Sequence, residues 1–252
     1  MDRILYTAMG GAKQSLDQQA VVSNNLANAT TAGFRAQLHA MRAVPVQGAG
    51  RLPTRVAVMA TTPGADFSPG PVNATGRELD IAIQGNGWLA VQSGDGAEAY
   101  TRRGDLRVDG EGVLNSAGHA VIGEAGPIVV PLGARLSIGA DGTLSAIGAG
   151  EDPDAIVEVG RIKLVDPGQA PLLRGDDGLF RPPLNAEGEP TRLAADDSVR
   201  VIPGALEGSN VSPVESMVSM INTARRYEMQ MKVIQSADDN AQRANSLLSI
   251  QG

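Results

Sequence analysis

Residue types that commonly serve in catalysis or metal binding are scarce in this chain. Its two histidines, His39 and His119, stand in a segment rich in Pro and Gly and beside a turn, and neither has another ligand residue at metal-binding spacing. The chain has no cysteine, which excludes disulfides, thiolate metal sites and thiol catalysis. We therefore expect both histidines to be surface residues.

Asp105, Asp109 and Gly110 partly match a calcium-binding loop. Arg107 occupies the third position, where the loop needs an oxygen ligand. The twelfth position holds Ser116 and not the glutamate that closes such loops. The sequence therefore predicts no calcium site here.

The remaining polar motifs also predict turns. Gly85-Asn86-Gly87 lacks the third glycine and the following helix of a dinucleotide site, so we interpret it as a turn between strands. Adjacent carboxylates on a strand or turn point apart, so the three acidic pairs are interpreted as solubilising residues and not as acid/base couples. These pairs are Asp176-Asp177, Asp196-Asp197 and Asp238-Asp239. We predict no catalytic residue, no cofactor, no metal and no small-molecule substrate.

Charge and hydropathy exclude two further classes of partner. The net charge is −7, and the basic residues are scattered, with Arg102-Arg103 and Arg225-Arg226 as the longest runs. A phosphate binder needs a concentrated basic surface, so nucleic acid is excluded. No apolar run approaches the 18 residues that span a bilayer, so we expect no membrane insertion.

The C-terminal part of the chain predicts one long helix. Ser212, Pro213 and Glu215 form a capping box with proline at the first helical position, and neither Gly nor Pro follows until Gly252. Largely apolar residues recur at a period of 3.5, which is typical of a helix that packs on another helix. They are Met217, Met220, Ala224, Tyr227, Met231, Ile234, Asp238, Ala241, Asn245 and Leu248. A rod about 55 Å long cannot bury this stripe against itself.

Some positions on this stripe allow two interpretations. Met217, Met220, Met229 and Met231 either fill an ordinary core or let one helix face adapt to different neighbours. The polar residues Asp238 and Asn245 either set the register or show that the apolar stripe ends near Ile234.

The first part of the chain, residues 3–28, predicts the partner helix. One face carries Leu5, Met9, Ala12, Leu16, Ala20 and Ala27, with Ile4, Ala8, Val22 and Leu26 beside it. Gly10-Gly11 weakens this helix by about 1 kcal/mol per glycine relative to alanine. The two terminal helices are therefore expected to pair in a coiled-coil-like arrangement. Gly33 follows the first helix and can adopt a left-handed backbone conformation.

Between the helices the pattern changes twice. Residues 36–76 lack strong periodicity and are predicted to form an extended connector with one short strand at 55–58. From Glu78 onward, short apolar runs are separated by glycine turns at intervals of 8–12 residues, which predicts an antiparallel all-β domain. The predicted strands are 79–83, 88–92, 106–108, 120–122, 128–130, 135–138, 143–147 and 156–165. The fold class is thus α+β, divided into 1–35, 36–76, 77–204 and 205–252.

Three blocks of sequence carry a family resemblance. Asn24-Asn25-Leu26-Ala27-Asn28 with Thr31, Gly33, Phe34 and Arg35 forms the first block. The middle block is 79–88 with 100–104 and 118–123, and the last is 206–215 with Met217, Met220-Ile221 and Arg226-Tyr227-Glu228. In this order they resemble bacterial flagellar rod, hook and hook-associated proteins. Trp88 departs from the pattern, which more often has phenylalanine there.

The resemblance implies a function. Within the family the chain is most similar to proximal rod subunits, with the distal rod protein as the nearest alternative. Such subunits are exported through the flagellar export apparatus and assemble into an axial tube that crosses the periplasm. There they transmit torque from the motor. The implied partners are other rod subunits, including the distal rod protein and further copies of the chain, together with the export apparatus.

The assembly interface is expected on the terminal segments. Its predicted residues are Leu5, Met9, Leu16, Asn25, Leu26, Asn28, Phe34, Met217, Met220, Ile221, Ala224, Tyr227, Met231, Ile234 and Leu248. A competing class is a β-rich extracytoplasmic binding module with a helical oligomerisation stem. Its central domain would need an aromatic platform for a glycan, yet it offers only Trp88, Tyr100 and Phe180.

Overall fold

A computed structural model of the chain describes residues 2–45, 56–148, 156–168, 170–185, 187–188 and 190–249. The chain divides into two compact units. Unit 1 contains residues 1–29, 37–63 and 211–252, and unit 2 contains residues 30–36 and 64–210. The four segments inferred from the sequence pattern remain predictions.

Unit 1 contains the two helices. Helix α1 spans Asp2–Ala27 and helix α2 spans Pro213–Ser249, which confirms both predicted helices. The backbone N–H groups of Glu215 and Ser216 donate to the side-chain and backbone oxygens of Ser212, at 3.4 and 3.0 Å. Ser212 therefore caps α2 as its position predicts. Among the described residues, no helix is long and apolar enough to cross a membrane.

Nineteen strands are described between the two helices, and in chain order they have the following bounds. They are β1 (Gln37–Pro45), β2 (Val56–Ala65), β3 (Val72–Ala74), β4 (Ile81–Ile83), β5 (Trp88–Gln92), β6 (Glu98–Thr101), β7 (Leu106–Val108), β8 (Leu114–Ser116), β9 (His119–Ala120), β10 (Ile122–Gly123), β11 (Gly126–Pro127), β12 (Arg135–Ile138), β13 (Thr143–Ile147), β14 (Val157–Arg161), β15 (Leu164–Val165), β16 (Leu173–Arg174), β17 (Phe180–Arg181), β18 (Val201–Pro203) and β19 (Ala205–Glu207).

The sheets of unit 2 are small and antiparallel. A five-stranded sheet has the order β15-β5-β6-β17-β16, and two three-stranded sheets have the orders β7-β8-β9 and β12-β13-β14. Three pairs complete the described sheets of this unit, namely β18 with β4, β19 with β3 and β10 with β11. The described pairings confirm an antiparallel all-β region.

Two apolar clusters fill unit 2. The larger is built mainly from Val, Ile and Leu, as the scarcity of aromatic residues requires. The smaller contains Trp88, Tyr100 and Phe180. Trp88 and Phe180 have ring centroids 4.8 Å apart, and Phe67 packs edge-on to both rings. The tryptophan is therefore accommodated within an aromatic cluster.

The sequence prediction was less accurate for the connector. Residues 37–45 and 56–65 form β1 and β2, which make a two-stranded sheet, so this stretch contains more strand than expected. Of the predicted short strand at 55–58, Arg55 lies outside the described residues and the remainder belongs to β2. The other part of the connector that lies outside them is 46–54.

Strand prediction in unit 2 was mixed. Strands β5, β7, β12 and β13 match their predicted bounds. The predicted strand 128–130 is wrong, because only the isolated bridge between Val113 and Val129 forms there. The run 156–165 divides into β14 and β15. Strands β3, β6, β8, β11 and β16 to β19 were not predicted; each has four residues or fewer, which leaves little room for a periodic pattern, although β7 and β12 are as short and were found.

Candidate functional site

Helix α2 has one protected face. From Arg225 to Ser246, the positions that are not fully exposed recur at alternating steps of three and four residues. Over the whole face they are Ser216, Met220, Thr223, Tyr227, Gln230, Ile234, Ala237, Ala241 and Ala244. This spacing has the expected period of 3.5. Coiled-coil pairing itself remains a prediction.

The protected face differs from the predicted stripe at every second position. Met220, Tyr227, Ile234 and Ala241 were placed correctly, but the intervening positions lie one residue earlier in the chain. Asp238 and Asn245 are therefore exposed beside the face, while Ala237 and Ala244 lie on it. The face does not end at Ile234, so that interpretation is wrong; Asp238 and Asn245 set no register within the single chain, and a register-setting role toward neighbouring subunits remains a prediction.

The described side chains of helix α1 that are buried are all small. They are Ala8, Ala12 and Ser15, and α1 contacts α2. A Cβ added at Gly11 would lie 3.0 Å from the Gln230 side chain, so the glycine permits a close approach of the helices. Small residues at such a contact allow the backbones to come together.

The opposite face of α2 carries an exposed apolar stripe. Val214, Met217, Val218 and Ile221 follow the spacing i, i+3, i+4, i+7, so they lie on one side of the helix. Each is more than half exposed, and Val214 is 71% exposed. At 100° per residue this stripe is centred about 180° from the protected face. In its first turns helix α2 therefore has a protected face of mixed polarity, with Ser216, Met220 and Thr223, and a second face that is apolar and exposed.

Large apolar residues are also exposed on α1. Tyr6, Met9 and Leu16 are each at least half exposed, although the two last lie on the face expected to be buried in the helix pair. Met229 and Met231 of α2 are likewise exposed. An ordinary core role for Met217, Met229 and Met231 is therefore wrong for the single chain.

The predicted interface residues fall into three groups. Met9, Leu16, Met217, Ile221 and Met231 are exposed; Leu5, Leu26, Met220, Ala224, Tyr227 and Ile234 are half-buried; Leu248 lies in α2, and its side chain is outside the description. Asn25, Asn28 and Phe34 have intramolecular partners described below. Participation of all fifteen in assembly remains a prediction.

Asn25 and Asn28 organise the end of α1. The Asn25 amide donates to the carbonyl oxygen of Gln37 at 3.0 Å and accepts from its N–H at 2.8 Å, so it pairs with β1 as a strand residue would. The Asn28 side chain donates to the Asn24 carbonyl at 2.9 Å and so satisfies one of the last carbonyl groups of the helix.

Unit 2 contains a buried ionic cluster that the sequence interpretation did not identify. The Glu207 carboxylate lies 2.7 Å from Nη2 of Arg35 and 2.9 Å from Nε of Arg102. All three side chains are 2% exposed. Glu207 also accepts from the N–H of Gly70 at 3.0 Å. Breaking such a pair is costly because it leaves an uncompensated buried charge.

Backbone carbonyls complete the cluster. Arg102 donates to the carbonyl groups of Gly87 and Ile83, and Arg35 donates to that of Ser68 at 2.9 Å. Burial lowers the pKa of Arg102, while the Glu207 charge raises it and the Arg35 charge lowers it further. The guanidinium is therefore held by its fixed acceptors and not by solvent.

The same region anchors the first signature block. Gly33 has φ of +67°, and a Cβ at this position would lie 2.4 Å from the Arg102 backbone. Its N–H donates to the Glu207 carbonyl at 2.8 Å. The Arg174 guanidinium lies over the buried ring of Phe34, 4.6 Å from its centroid. The expected left-handed conformation of Gly33 is confirmed, and its main consequence is this close approach.

Asn210 ties two further segments together. Its amide donates to the Asp66 and Ser68 carbonyls at 2.9 and 3.0 Å and accepts from the N–H of Ala36 at 2.7 Å. The chain passes between the units at 29/30, 36/37, 63/64 and 210/211. Glu207, Asn210 and their partners therefore hold together, within unit 2, the segments next to these crossings. We call Arg35, Arg102, Glu207 and Asn210 the junction cluster.

One sequence signal pointed to this cluster. Arg35, Arg102, Glu207 and Asn210 all belong to the blocks that carry the family resemblance. However, a charged residue in a motif is equally compatible with a solvated surface position. Only their convergence in space shows that Arg35 and Arg102 pair with the same buried carboxylate of Glu207.

Comparisons with known proteins agree with these blocks. Three family models match: "Flagella basal body rod protein" at residues 5–35, "Flagellar hook protein FlgE/F/G D1 domain" at 82–146 and "Flagellar basal body rod FlgEFG protein C-terminal" at 202–247. The chain is 58% identical to the flagellar basal-body rod protein FlgF of Escherichia coli K12, over 99% of this chain and 100% of the relative.

Two other relatives are less similar than this one. The flagellar basal-body rod protein FlgF of Salmonella typhimurium LT2 is 56% identical, again over 99% of this chain and 100% of the relative. The flagellar basal-body rod protein FlgG of Bacillus subtilis 168 is 29% identical over 95% of this chain and 96% of the relative. Identity to these two FlgF relatives is thus about twice that to this FlgG protein.

Proposed function

Because this chain belongs to the FlgF family of flagellar basal-body rod proteins, we propose that it assembles through its terminal helices into the proximal part of the rod. It is a structural subunit of the basal-body rod and not an enzyme. The distal rod and the glycan-binding module are not favoured, since identity to the FlgG relative is much lower and the matches cover the whole chain.

The observation that carries this proposal is the exposed apolar stripe of α2. One face is protected within unit 1, while Val214, Met217, Val218 and Ile221 remain exposed on the other. Fully burying a Val, Ile or Met side chain is favourable by about 1.5–3 kcal/mol relative to leaving it exposed. Neighbouring subunits that cover this stripe therefore gain several kcal/mol in the free energy of association. A helix used on both faces suits a subunit surrounded by further subunits.

The junction cluster suggests how load passes through the subunit. We propose that torque enters and leaves each subunit through the segments that connect its units, and that Glu207 and Asn210 prevent these segments from separating in unit 2. A buried network with fixed acceptors resists such separation better than solvated side chains, because each broken contact leaves a buried charge without a partner. Other rod subunits, further copies of this chain and the export apparatus are the proposed partners, in a rod that crosses the periplasm.

The assembly proposal is tested by adjacent substitutions on α2. Ile221→Glu places a charge in the exposed stripe, whereas Asn222→Glu places the same charge on the neighbouring, polar side of the helix. We expect Ile221→Glu to abolish motility when it replaces the wild-type chain in a host strain, because a charge buried in the interface is strongly unfavourable. Asn222→Glu should swim normally.

Two further readouts make this result specific. The urea midpoint of purified Ile221→Glu should match that of the wild type, because the side chain is exposed in the single chain. Isolated basal bodies should end before the rod is complete. Normal rods and normal swimming with Ile221→Glu would overturn the proposal that this stripe is an assembly surface.

A further inference from the structure

A cavity of about 190 Å³ lies beside the junction cluster in unit 2. Arg35 and Arg102 line it on one side, and Trp88 and Phe67 contribute aromatic surface. Asn86, in the turn between β4 and β5, adds an amide. We propose that this cavity is a binding site for a monocarboxylate.

The charge balance is the first argument. Arg35 and Arg102 share the single buried carboxylate of Glu207, so these three side chains together carry one excess positive charge. The carbonyls of Ser68, Gly87 and Ile83 accept hydrogen bonds from the two guanidinium groups, but they carry no net charge. The half-buried Asp66 is a further anion near Arg35, and the pKa of its carboxyl is lowered mainly by a hydrogen bond from the Ser68 N–H and in part by the Arg35 charge. The site therefore favours an anionic ligand over a neutral or cationic one and a monoanion over a dianion.

An unsatisfied donor is the second argument. Nε of Arg35 is buried, on a side chain that is only 2% exposed, and it has no hydrogen-bond partner among the described residues. A buried charged donor without an acceptor is more unfavourable than a neutral one, because the desolvation of a charge is not compensated. An oxygen of a bound carboxylate would supply this acceptor, and arginine has the donor geometry that carboxylates match.

The rest of the lining defines the class of ligand. Trp88, Phe67 and Leu172 supply apolar surface next to the charged side, and the volume accommodates a carboxylate with a short hydrocarbon chain. Acetate and butyrate are therefore suitable probes. The same group could be delivered free in solution or on an Asp or Glu side chain of another chain.

Trp88 provides a direct measurement because it is the single tryptophan of the protein. We expect the fluorescence of the full-length chain to change saturably with sodium butyrate, at constant ionic strength maintained with sodium chloride. Half-saturation with butyrate should occur at a concentration at least about tenfold lower than with inorganic phosphate, corresponding to about 1.4 kcal/mol.

Two Ala→Leu variants test binding without changing the junction cluster. Arg35→Gln is the direct test but removes a member of the junction cluster. Ala170→Leu instead fills part of the cavity from an exposed position and leaves the cluster unchanged. It should weaken butyrate binding at least about tenfold, which again corresponds to about 1.4 kcal/mol. Ala195→Leu, at an exposed alanine outside the cavity lining, should bind as the wild type does.

The proposal is overturned if butyrate acts no differently from chloride, or if Ala170→Leu binds as tightly as the wild type. If butyrate binds saturably, its effect on self-association shows whether the natural carboxylate is a free solute or a side chain of another chain. Inhibition of wild-type self-association by saturating butyrate supports a side-chain carboxylate from another chain, whereas no inhibition supports a free solute. Because the titration uses the single chain, its failure would leave the proposed rod function intact.

Discussion

Replacing Glu207 by glutamine tests whether the junction cluster stabilises unit 2. The substitution preserves side-chain volume, so it adds no cavity. It removes the negative charge between Arg35 and Arg102 and turns one acceptor oxygen into a donor that faces a guanidinium. Removing one partner of a buried ion pair typically costs about 3–5 kcal/mol. This is a large fraction of the 5–15 kcal/mol that stabilises a typical domain.

Urea unfolding followed through the buried Trp88 measures this change. With a slope of about 2 kcal/mol per molar urea, a loss of 4 kcal/mol lowers the midpoint by about 2 M. The slope itself should stay the same, since the substitution does not alter the surface exposed on unfolding. Circular dichroism should confirm that the variant is folded without urea.

Asp197→Asn is the matched control. Asp197 also forms an ion pair, 2.6 Å from Nη1 of Arg161, but its side chain is 82% exposed. Exposed pairs contribute about 0–1 kcal/mol, so the midpoint should shift by at most about 0.5 M. If Glu207→Gln and Asp197→Asn shift the midpoint equally, burial does not determine the strength of these pairs and the reasoning about the cluster is wrong.

Three further predictions concern unit 2. Gly33 and Gly76 have similar φ, +67° and +72°, but of the two only Gly33 has backbone atoms close to an added Cβ. In urea unfolding, Gly33→Ala should therefore lower the free energy of unfolding by about 2 kcal/mol more than Gly76→Ala does. Equal effects of the two substitutions would contradict the close approach of the chain at Gly33. Ala117 has φ of +53°, so Ala117→Asn should stabilise the protein by about 0.5–1 kcal/mol, and a lower urea midpoint would contradict this. A hydrogen bond from Arg181 is the main cause that lowers the pKa of Asp177 from 3.8 to about 2, so the stabilisation it provides is complete above pH 3.8 and is lost as the pH falls through about 2. The difference between the urea midpoints of the wild type and Asp177→Asn should disappear over this range, and a difference that persists at lower pH would refute the assignment.

Part of the fold follows directly from the sequence. The extents of α1 and α2 were predicted because helix periodicity persists over many residues and a capping serine with a following proline marks the start of α2. Strands β5, β12 and β13 were predicted because glycine turns bound short apolar or alternating runs. These signals are local, so each can be recognised without knowing what the segment packs against. The same holds for the three blocks that carry the family resemblance.

Tertiary structure decided which side of each helix is used internally. Both faces of α2 carry apolar residues in its first turns, so periodicity alone cannot choose between Thr223 and Ala224. The protected face includes Thr223 and Gln230, and the Gln230 side chain lies 3.0 Å from where a Cβ at Gly11 would be, so the fit of α1 against α2 and not the apolar pattern decides which residues are covered. The stripe of Val214, Met217, Val218 and Ile221 is exposed because it lies away from the face that α1 protects.

The junction cluster also required the tertiary structure. Arg102 and Glu207 are 105 positions apart in the chain, and each lies in a segment too short for its pattern to indicate burial. By itself, the sequence determined the two helices, the antiparallel β region and the family. Only the folded chain determined that one glutamate pairs with two buried arginines, because the burial of a charge depends on distant partners and not on its neighbours in sequence.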